Sequence, residues 1–192
     1  MKYRHITSRV LAALADTPVV FVQGPRQSGK TTLVQSLSRQ DRAAEYWTLD
    51  DAVVLVAARS DPDGFVDSLP ERVILDEVQR APDLFRAIKR SVDAKRKPGR
   101  FLLTGSANAL VLPKISESLA GRMEVVTLAP FSQGEIAGRR EGFIDVCFAR
   151  EFKPGSYRDA GWPALVERIT RGGFPEALVR KDEARRAAWF GI

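Results

Sequence analysis

Cysteine is nearly absent from this sequence, since Cys147 is the only one among 192 residues. One cysteine excludes an internal disulfide framework and fits a reducing compartment, so we expect a cytoplasmic protein. Phe143, Ile144 and Phe148 surround it at helical spacing. We therefore predict that Cys147 is a buried, unreactive thiol rather than a nucleophile.

Long apolar runs are also missing. No stretch approaches the roughly 18 apolar residues that a membrane-spanning helix needs. The amino terminus, MKYRH, is not followed by the apolar core of a signal peptide, and we expect no membrane partner. Histidine is limited to His5, which has no cysteine, aspartate or second histidine nearby, so no metal site is predicted there.

Charge of one sign is not concentrated in any segment. The chain has 30 lysines and arginines against 24 acidic residues, a net charge of +6, and the two signs are interleaved. Aromatic residues do not alternate with basic ones as they do in single-strand binders. The composition leaves nucleic-acid and protein partners open and supports neither, so we interpret the basic residues as solvated faces plus a phosphate site.

The most informative stretch is residues 19–33, VVFVQGPRQSGKTTL. Its first four residues predict a short buried strand, and the apolar residues that follow the loop have helical spacing. Residues 24–31 fit G-x-x-x-x-G-K-[ST], the pattern of a phosphate-binding loop between strand and helix. Glycines let backbone N–H groups turn toward phosphates, and the helix N-terminus adds partial positive charge.

This loop defines the candidate nucleotide-binding residues. Lys30 can reach the β- and γ-phosphates, and the Thr31 hydroxyl is a ligand for Mg²⁺. The sequence thus predicts a chain that binds a nucleoside triphosphate, with ATP and Mg²⁺ as the expected pair. The full set of predicted contacts is Gly24, Pro25, Arg26, Gln27, Ser28, Gly29, Lys30, Thr31 and Thr32.

A second apolar run, residues 72–77 (RVILDE), ends in two acids, as a Walker B strand does. Mg²⁺ prefers hard oxygen ligands, and the attacking water needs a carboxylate to orient or deprotonate it. We therefore predict that Asp76 holds Mg²⁺, directly or through water, and that Glu77 acts on the water.

Polar residues also follow the other predicted strands. We interpret Asp50 and Asp51, after residues 45–49, as helix caps rather than site residues. Residues 61–64 (DPDG) predict a turn. Residues 101–106 (FLLTGS) predict a strand whose Thr104 and Ser106 either contact the γ-phosphate or the attacking water, or cap a helix that runs to about residue 120.

Five short apolar strands separated by helical segments indicate an α/β fold with a parallel sheet covered on both faces. The apolar face of one such helix comprises Leu84, Phe85, Ile88 and Val92. Beyond residue 131 only helical segments are predicted, around 143–148, 163–170 and from 175 onward. We expect an ATPase core over residues 1–130 and a helical segment over 131–192.

Five motifs give the chain a family resemblance. The phosphate loop resembles that of prokaryotic AAA-type ATPases related to the archaeal ATPases, and so do LDEVQ (75–79), LTGS (103–106), SLAGR (118–122) and GGFPE (172–176). The resemblance implies a P-loop NTPase three-layer sandwich with strand order 5-1-4-3-2. It also implies a homo-oligomer, Thr104 or Ser106 as the sensor group, and Arg122 as an arginine finger.

Family members are about twice as long and continue into a further domain, whereas this chain stops in what still resembles a helix. We therefore expect a shortened chain whose helical segment begins that further region. The leading functional hypothesis is an ATPase that hydrolyses Mg·ATP. The alternatives are an ATP-gated module that binds DNA or a protein with little turnover, and a kinase-like phosphotransferase. For Arg122 the alternative is a surface arginine in a Gly-Arg turn.

Overall fold

The structure is a computed structural model that describes residues 2–41, 44–106, 119–149 and 161–191. Two compact units can be distinguished. The first, called the sheet unit, is Ile6–Ala129, and the second, the helical unit, comprises Met1–His5 and Pro130–Ile192. The helix predicted between Ser106 and about residue 120 lies outside the described residues.

The sheet unit alternates helices and strands, as the sequence predicts. Its elements in chain order are α1 (Thr7–Asp16), β1 (Val19–Gly24), α2 (Lys30–Ser36), a π-helical turn (Leu37–Asp41), β2 (Glu45–Thr48), α3 (Ala52–Ser60), α4 (Pro62–Ser68), β3 (Val73–Asp76), a 3₁₀ turn (Val78–Arg80), α5 (Leu84–Ala94), β4 (Phe101–Ser106) and β5 (Met123–Thr127).

The five strands form one parallel sheet in the order β2-β3-β4-β1-β5. This is the order 5-1-4-3-2 that the family resemblance implies, so the predicted fold class is confirmed. The register aligns Val19 of β1 with Phe101 of β4 and Met123 of β5. The carboxyl ends of β1, β3 and β4 therefore lie together at one edge.

Both faces of the sheet are covered, which explains the unbroken apolar runs of its strands. Alternate residues of one strand point to opposite faces. Accordingly Phe21 and Leu75 belong to one buried cluster, while Val22 and Ile74 belong to the other.

Helix α5 packs the predicted apolar face against the sheet. Its residues Leu84, Phe85, Ile88 and Val92 are all buried, and Ile88 belongs to the same cluster as Phe21. The prediction for this helix is therefore confirmed. Helix and sheet interlock partly through aromatic contacts, since the rings of Phe21 and Phe85 meet edge to face.

Two aspartates define the starts of α3 and α4. The Asp51 carboxylate accepts hydrogen bonds from the backbone N–H groups of Val53 and Val54, so its predicted cap role is confirmed. The turn predicted at residues 61–64 is wrong, because Asp61 caps α4 and Pro62 occupies its first turn. Proline suits that position, where its missing N–H has no intrahelical acceptor.

The helical unit contains α6 (Gln133–Ala137), α7 (Phe143–Cys147), α8 (Gly161–Arg171), α9 (Pro175–Val179) and α10 (Glu183–Phe190). Helix α6 was not predicted. It begins at a capping box in which Ser132 and Glu135 exchange hydrogen bonds. The buried Arg4 guanidinium pairs with Glu135 at 3.2 Å and lies over the ring of Phe131.

The prediction that Cys147 is buried is wrong, because its side chain is exposed. Helix α7 has only five residues, and its neighbours Ile144 and Phe148 are also exposed, the latter by 84%. The apolar residues around Cys147 have helical spacing, but no described element covers the face of α7 that they form. Among the described residues, no helix has the length and apolar character needed to cross a membrane.

The GGFPE motif has a structural role in the helical unit. The Gly173 carbonyl accepts a hydrogen bond from the Phe131 N–H at 2.8 Å, and a Cβ on Gly173 would lie 2.2 Å from the Phe131 carbonyl oxygen. Only glycine permits this approach. Phe174, the next residue, packs against the rings of Trp189 and Phe190.

Candidate active site

The predicted site residues other than Arg122 gather at the carboxyl edge of the sheet, where ligands of open α/β sheets bind. The loop after β1 meets the end of β3, which carries Asp76, and the end of β4, which carries Thr104 and Ser106. These strands adjoin in the order β3-β4-β1. Thr31, on the first turn of α2, bonds directly to Asp76.

Glycine is required where the loop leaves β1. A Cβ on Gly24 would lie 2.2 Å from the backbone oxygen of Leu128, so no larger residue fits without moving the backbone. Gly29 has a φ of 95°, in the region that favours glycine, and immediately precedes α2. Gln27 is also left-handed, with a φ of 61°. The loop thus curls tightly before α2 begins at Lys30.

Lys30 is held inside this curl. Its ammonium donates hydrogen bonds to the carbonyl oxygens of Gly24 at 3.2 Å and Pro25 at 2.9 Å, and the residue is only 5% exposed. Burial lowers the pKa of the Lys30 amine, whereas the carboxylates of Glu77 and Asp76 act to raise it. A phosphate beside this amine would favour the charged form in the same way.

The Asp76 carboxylate accepts hydrogen bonds from three hydroxyl groups. Its Oδ2 accepts hydrogen bonds from the Thr31 and Tyr46 hydroxyls, each at 2.7 Å, and its Oδ1 accepts one from Thr104. The carboxylate is 98% buried, so these donors replace water around the charge. Of the three, Tyr46 has no counterpart among the predicted site residues.

Glu77 follows Asp76 in a left-handed conformation, with φ 59° and ψ 41°. Its backbone N–H donates to the Thr104 hydroxyl at 3.2 Å, and its carboxylate accepts a hydrogen bond from the Gln79 amide. Gln79 stands in the predicted LDEVQ motif but was assigned no role. The sharp backbone turn and this amide together fix where the Glu77 carboxylate lies.

The two sensor candidates occupy different positions. The Thr104 hydroxyl is fully buried and committed to Asp76 and Glu77. Ser106 is the last residue of β4, half-buried, and stands opposite Gly24 in the register. Ser106 is therefore the candidate beside the start of the phosphate loop, while Thr104 supports the acids.

Arg122 does not join the other predicted site residues. Its backbone oxygen accepts a hydrogen bond from Val19, the first residue of β1, so it lies at the amino edge of the sheet. Its guanidinium bonds the Asp93 carboxylate and the Ala120 carbonyl. The hydrogen bond from Arg122 lowers the pKa of Asp93.

The donor set at this edge suits Mg²⁺. The Thr31 hydroxyl and the Asp76 carboxylate supply hard oxygens that already lie 2.7 Å apart. Mg²⁺ in nucleotide sites uses one or two protein oxygens and completes its shell with water and phosphates. No cluster of three or more histidine, cysteine or acidic residues that could hold a metal occurs in the described part of the chain.

Replacing Tyr46 with phenylalanine tests the unpredicted contact. Burial and then the hydrogen bond to Asp76 raise the pKa of Tyr46 to about 12. The neutral Tyr46 phenol therefore stabilises the folded state. This stabilisation is complete below about pH 10, where the phenol of the unfolded chain is also neutral, and it is lost as the pH rises through about 12. We expect Tyr46→Phe to lower the free energy of unfolding by about 1 kcal/mol at pH 8.

Urea unfolding of both proteins at pH 8 and above pH 11 measures this difference. It should shrink at the higher pH, because the wild-type phenol then ionises. Tyr3→Phe is the matched control, since Tyr3 is 64% exposed. A difference between wild type and Tyr46→Phe that does not change with pH would contradict the prediction.

Comparisons with known proteins agree with this geometry. Residues 16–137 match the family model described as an AAA domain. The chain is 33% identical over 187 residues to two uncharacterized proteins, Mb2031c of Mycobacterium bovis and Rv2008c of Mycobacterium tuberculosis. The match covers 97% of this chain and 36% of each relative, so the chain spans about a third of their length.

Solved structures show the same fold at low sequence identity. The Walker-type ATPase PABY2304 of Pyrococcus abyssi superposes with a TM-score of 0.56 at 15% identity, over 98% of this chain and 71% of that chain. AMPPCP-bound DnaA from Aquifex aeolicus gives a TM-score of 0.50 at 14% identity, over 96% of this chain and 59% of that chain.

Proposed function

The chain belongs to the AAA-domain family of P-loop ATPases, and from that premise we propose that it binds Mg·ATP and hydrolyses it at the carboxyl edge of the sheet. The observation that carries the proposal is the contact between Thr31 and Asp76. It joins the phosphate loop to the acids of β3, as phosphoryl transfer from a bound nucleotide requires.

The loop residues would hold the triphosphate. Backbone N–H groups of residues 24–31 and the N-terminus of α2 supply positive potential, and Lys30 supplies a full charge. The Lys30 hydrogen bonds to Gly24 and Pro25 would be exchanged for bonds to phosphate oxygens. Charged hydrogen bonds to phosphate are stronger than those to neutral carbonyls, so this exchange favours binding.

Thr31 and Asp76 would hold the metal, which when bound neutralises charge on the β- and γ-phosphates. Thr104 and Tyr46 keep the Asp76 carboxylate oriented, because each fixes one of its oxygens. Thr104 and Tyr46 can orient the Asp76 carboxylate without contacting the nucleotide.

Glu77 would accept a proton from the attacking water. The water oxygen forms a bond to the γ-phosphorus while the bond from that phosphorus to the β–γ bridging oxygen breaks, which releases ADP and phosphate. General-base assistance of this kind contributes about 10²–10⁴-fold to a rate. The Glu77 carboxylate must be available for this, and Gln79 already donates to it.

This last contact favours a second candidate function, an ATP-gated module with little turnover. The Glu77 carboxylate already accepts a hydrogen bond from Gln79, and this contact occupies an oxygen that would otherwise be open to the attacking water. In this alternative, bound ATP sets a conformation and hydrolysis is slow.

Gln79→Ala tests the alternative. If Gln79 restrains Glu77, the variant should turn over ATP about tenfold faster than wild type, as the loss of one charge-assisted hydrogen bond implies. The measurement is steady-state phosphate release at saturating Mg·ATP. A lower rate would indicate that Gln79 positions Glu77 productively, and either a lower or an unchanged rate would remove the support for the gating hypothesis.

The binding site itself is tested by Lys30→Ala. We expect ATP affinity to fall on the order of 100-fold, because two or more charged hydrogen bonds to phosphate are lost. Titration calorimetry with Mg·ATP measures the affinity, and circular dichroism checks the fold. Lys95→Ala is the control, since its side chain is 74% exposed at the surface of the sheet unit. Wild-type affinity in a folded Lys30→Ala variant would reject the site.

A further inference from the structure

Basic side chains line two adjoining pockets of the helical unit. The first, of about 280 Å³, lies between α6 and α8, and its basic lining residues are Arg139, Arg168 and Arg171. The second, of about 520 Å³, is lined by Lys2 and Arg140 and again by Arg139. Because Arg139 and the end of α6 line both, the two pockets share a wall.

The three arginines of the first pocket have no acidic partner in the part of the chain that the structure describes. Within the described ranges, no carboxylate oxygen lies within 4.0 Å of the guanidinium of Arg139, Arg168 or Arg171. Among the described residues that line this pocket, Glu167 is the single acid. The acid of the second pocket, Glu135, is already paired with Arg4.

Arg171, one of the residues that line the first pocket, combines a fixed guanidinium with an unpaired donor. Its Nη2 donates to the Leu178 carbonyl at 3.1 Å, which holds the guanidinium in place. Its Nε is buried and has no hydrogen-bond partner among the described residues. A buried donor without a partner destabilises a protein, so an oxygen acceptor that reached this Nε after a small shift of the side chain would be bound favourably.

Phosphate is the anion that this chemistry fits. Guanidinium groups bind phosphate oxygens through two parallel N–H bonds, and they desolvate more easily than ammonium groups. One phosphate would occupy the first pocket. The second pocket, across the Arg139 wall, offers further basic side chains for a neighbouring phosphate, and consecutive phosphates are the feature that distinguishes a nucleic-acid backbone from a small anion.

We propose that these two pockets form a binding surface for the phosphate backbone of a nucleic acid. The surface consists of Lys2, Arg139, Arg140, Arg168 and Arg171, and it lies wholly in the helical unit. It reads no base sequence, because all of its contacts are with phosphate. It is independent of the nucleotide site proposed above, which uses residues of the sheet unit.

The test uses a fluorescein-labelled DNA duplex of mixed sequence and fluorescence anisotropy, at several salt concentrations and without ATP. For three to five neutralised phosphates, log K should fall against log salt with a slope of about −2.7 to −4.5. Arg139→Gln with Arg168→Gln should weaken binding roughly tenfold per residue and reduce the slope by about 2.

Two variants serve as controls. Lys181→Gln with Arg185→Gln removes the same charge from exposed residues of the helical unit that line neither pocket, and should leave affinity within about twofold of wild type. Lys30→Ala should bind the duplex as wild type does. Equal losses in both double variants, or loss of binding in Lys30→Ala, would overturn the assignment.

A calorimetric titration with inorganic phosphate tests whether the first pocket binds a small anion instead of a nucleic acid. Phosphate that binds wild type and competes with the duplex would support the surface, provided the Arg139→Gln with Arg168→Gln variant binds phosphate more weakly. Phosphate binding without duplex binding would assign the pocket to a small anion and overturn the nucleic-acid proposal. Neither result depends on ATP hydrolysis, so this proposal and the proposed function can fail separately.

Discussion

Arg122→Ala is expected to slow ATP turnover by about 10³–10⁵-fold while ATP affinity stays nearly unchanged. We propose that the Arg122 guanidinium reaches the γ-phosphate bound by a neighbouring subunit and neutralises the charge that develops in the transition state. Such a contact contributes to the rate without contributing to the binding of ATP by the chain that carries the variant.

The position of Arg122 excludes a role in its own site. It lies at the amino edge of the sheet, next to Val19, whereas the phosphate loop begins at the opposite end of β1, at Gly24. Five residues of extended strand separate the two by roughly 16 Å. An arginine side chain cannot span that distance, so Arg122 could contact a γ-phosphate only at a site on a second chain.

Asp93 provides the matched control, because it accepts the Arg122 hydrogen bond within the chain. If Arg122 serves only this exposed ion pair, Asp93→Asn and Arg122→Ala should have the same small effect. If Arg122 is a finger, Asp93→Asn should keep turnover within about tenfold of wild type. Equal turnover of wild type and Arg122→Ala, in a chain that sediments as a monomer, would contradict the finger.

Association gives an independent check. Turnover per chain should rise with protein concentration, because each site is completed only when a second chain supplies Arg122. The variant should lack this dependence. Steady-state rates measured across a concentration series, with sedimentation of the same samples, test the point.

Glu77→Gln is expected to bind ATP about as well as wild type and to hydrolyse it about 10²–10⁴-fold more slowly. The amide keeps the size of the side chain but cannot accept a proton from water. The Glu77 carboxylate acts on the loop by favouring the charged form of Lys30, and its hydrogen bond comes from Gln79 rather than from the loop, so affinity should change little. Single-turnover phosphate release and calorimetry separate the two effects.

Glu71→Gln is the control for loss of one acid, since Glu71 lies outside the site, 60% exposed and paired with Lys97. Its turnover should match wild type. Should Glu77→Gln also match wild type, the group that activates the water is another one. A slower rate with equally weakened ATP binding would instead indicate that the variant disturbs the site as a whole.

The sheet could be predicted because parallel strands buried on both faces must be apolar throughout, as in residues 19–22, 73–75 and 101–103. The phosphate loop and the acids of β3 could be predicted because their spacing is fixed by local geometry. The strand order came from the family resemblance, since periodicity does not determine which strands adjoin.

Contacts between distant segments could not be predicted. Tyr46 reaches Asp76 only because β2 pairs with β3 in the register that places Thr48 beside Asp76. The basic pockets could not be predicted from the sequence for the same reason, because Lys2, Arg139 and Arg168 are far apart in it. A count of charges along the chain cannot reveal a cluster that only folding creates.

Short polar segments were ambiguous. The residues Asp61 and Pro62 begin either a turn or a helix, and the burial of Phe65 and Val66 decides for the helix. Cys147 shows the opposite error, because the apolar pattern around it implied a buried face that α7 does not have. Residue spacing predicts which side chains share a face, not whether another element covers it.

The left-handed backbone at Glu77 has a consequence for protein engineering. A residue other than glycine in that conformation destabilises the native state by about 1 kcal/mol or more. Glu77→Gly and Glu77→Asn should therefore raise the melting temperature, and if Glu77 is the general base proposed above they should also slow hydrolysis. A thermostability screen without an activity assay would then enrich slower variants, so directed evolution of this protein should hold position 77 fixed.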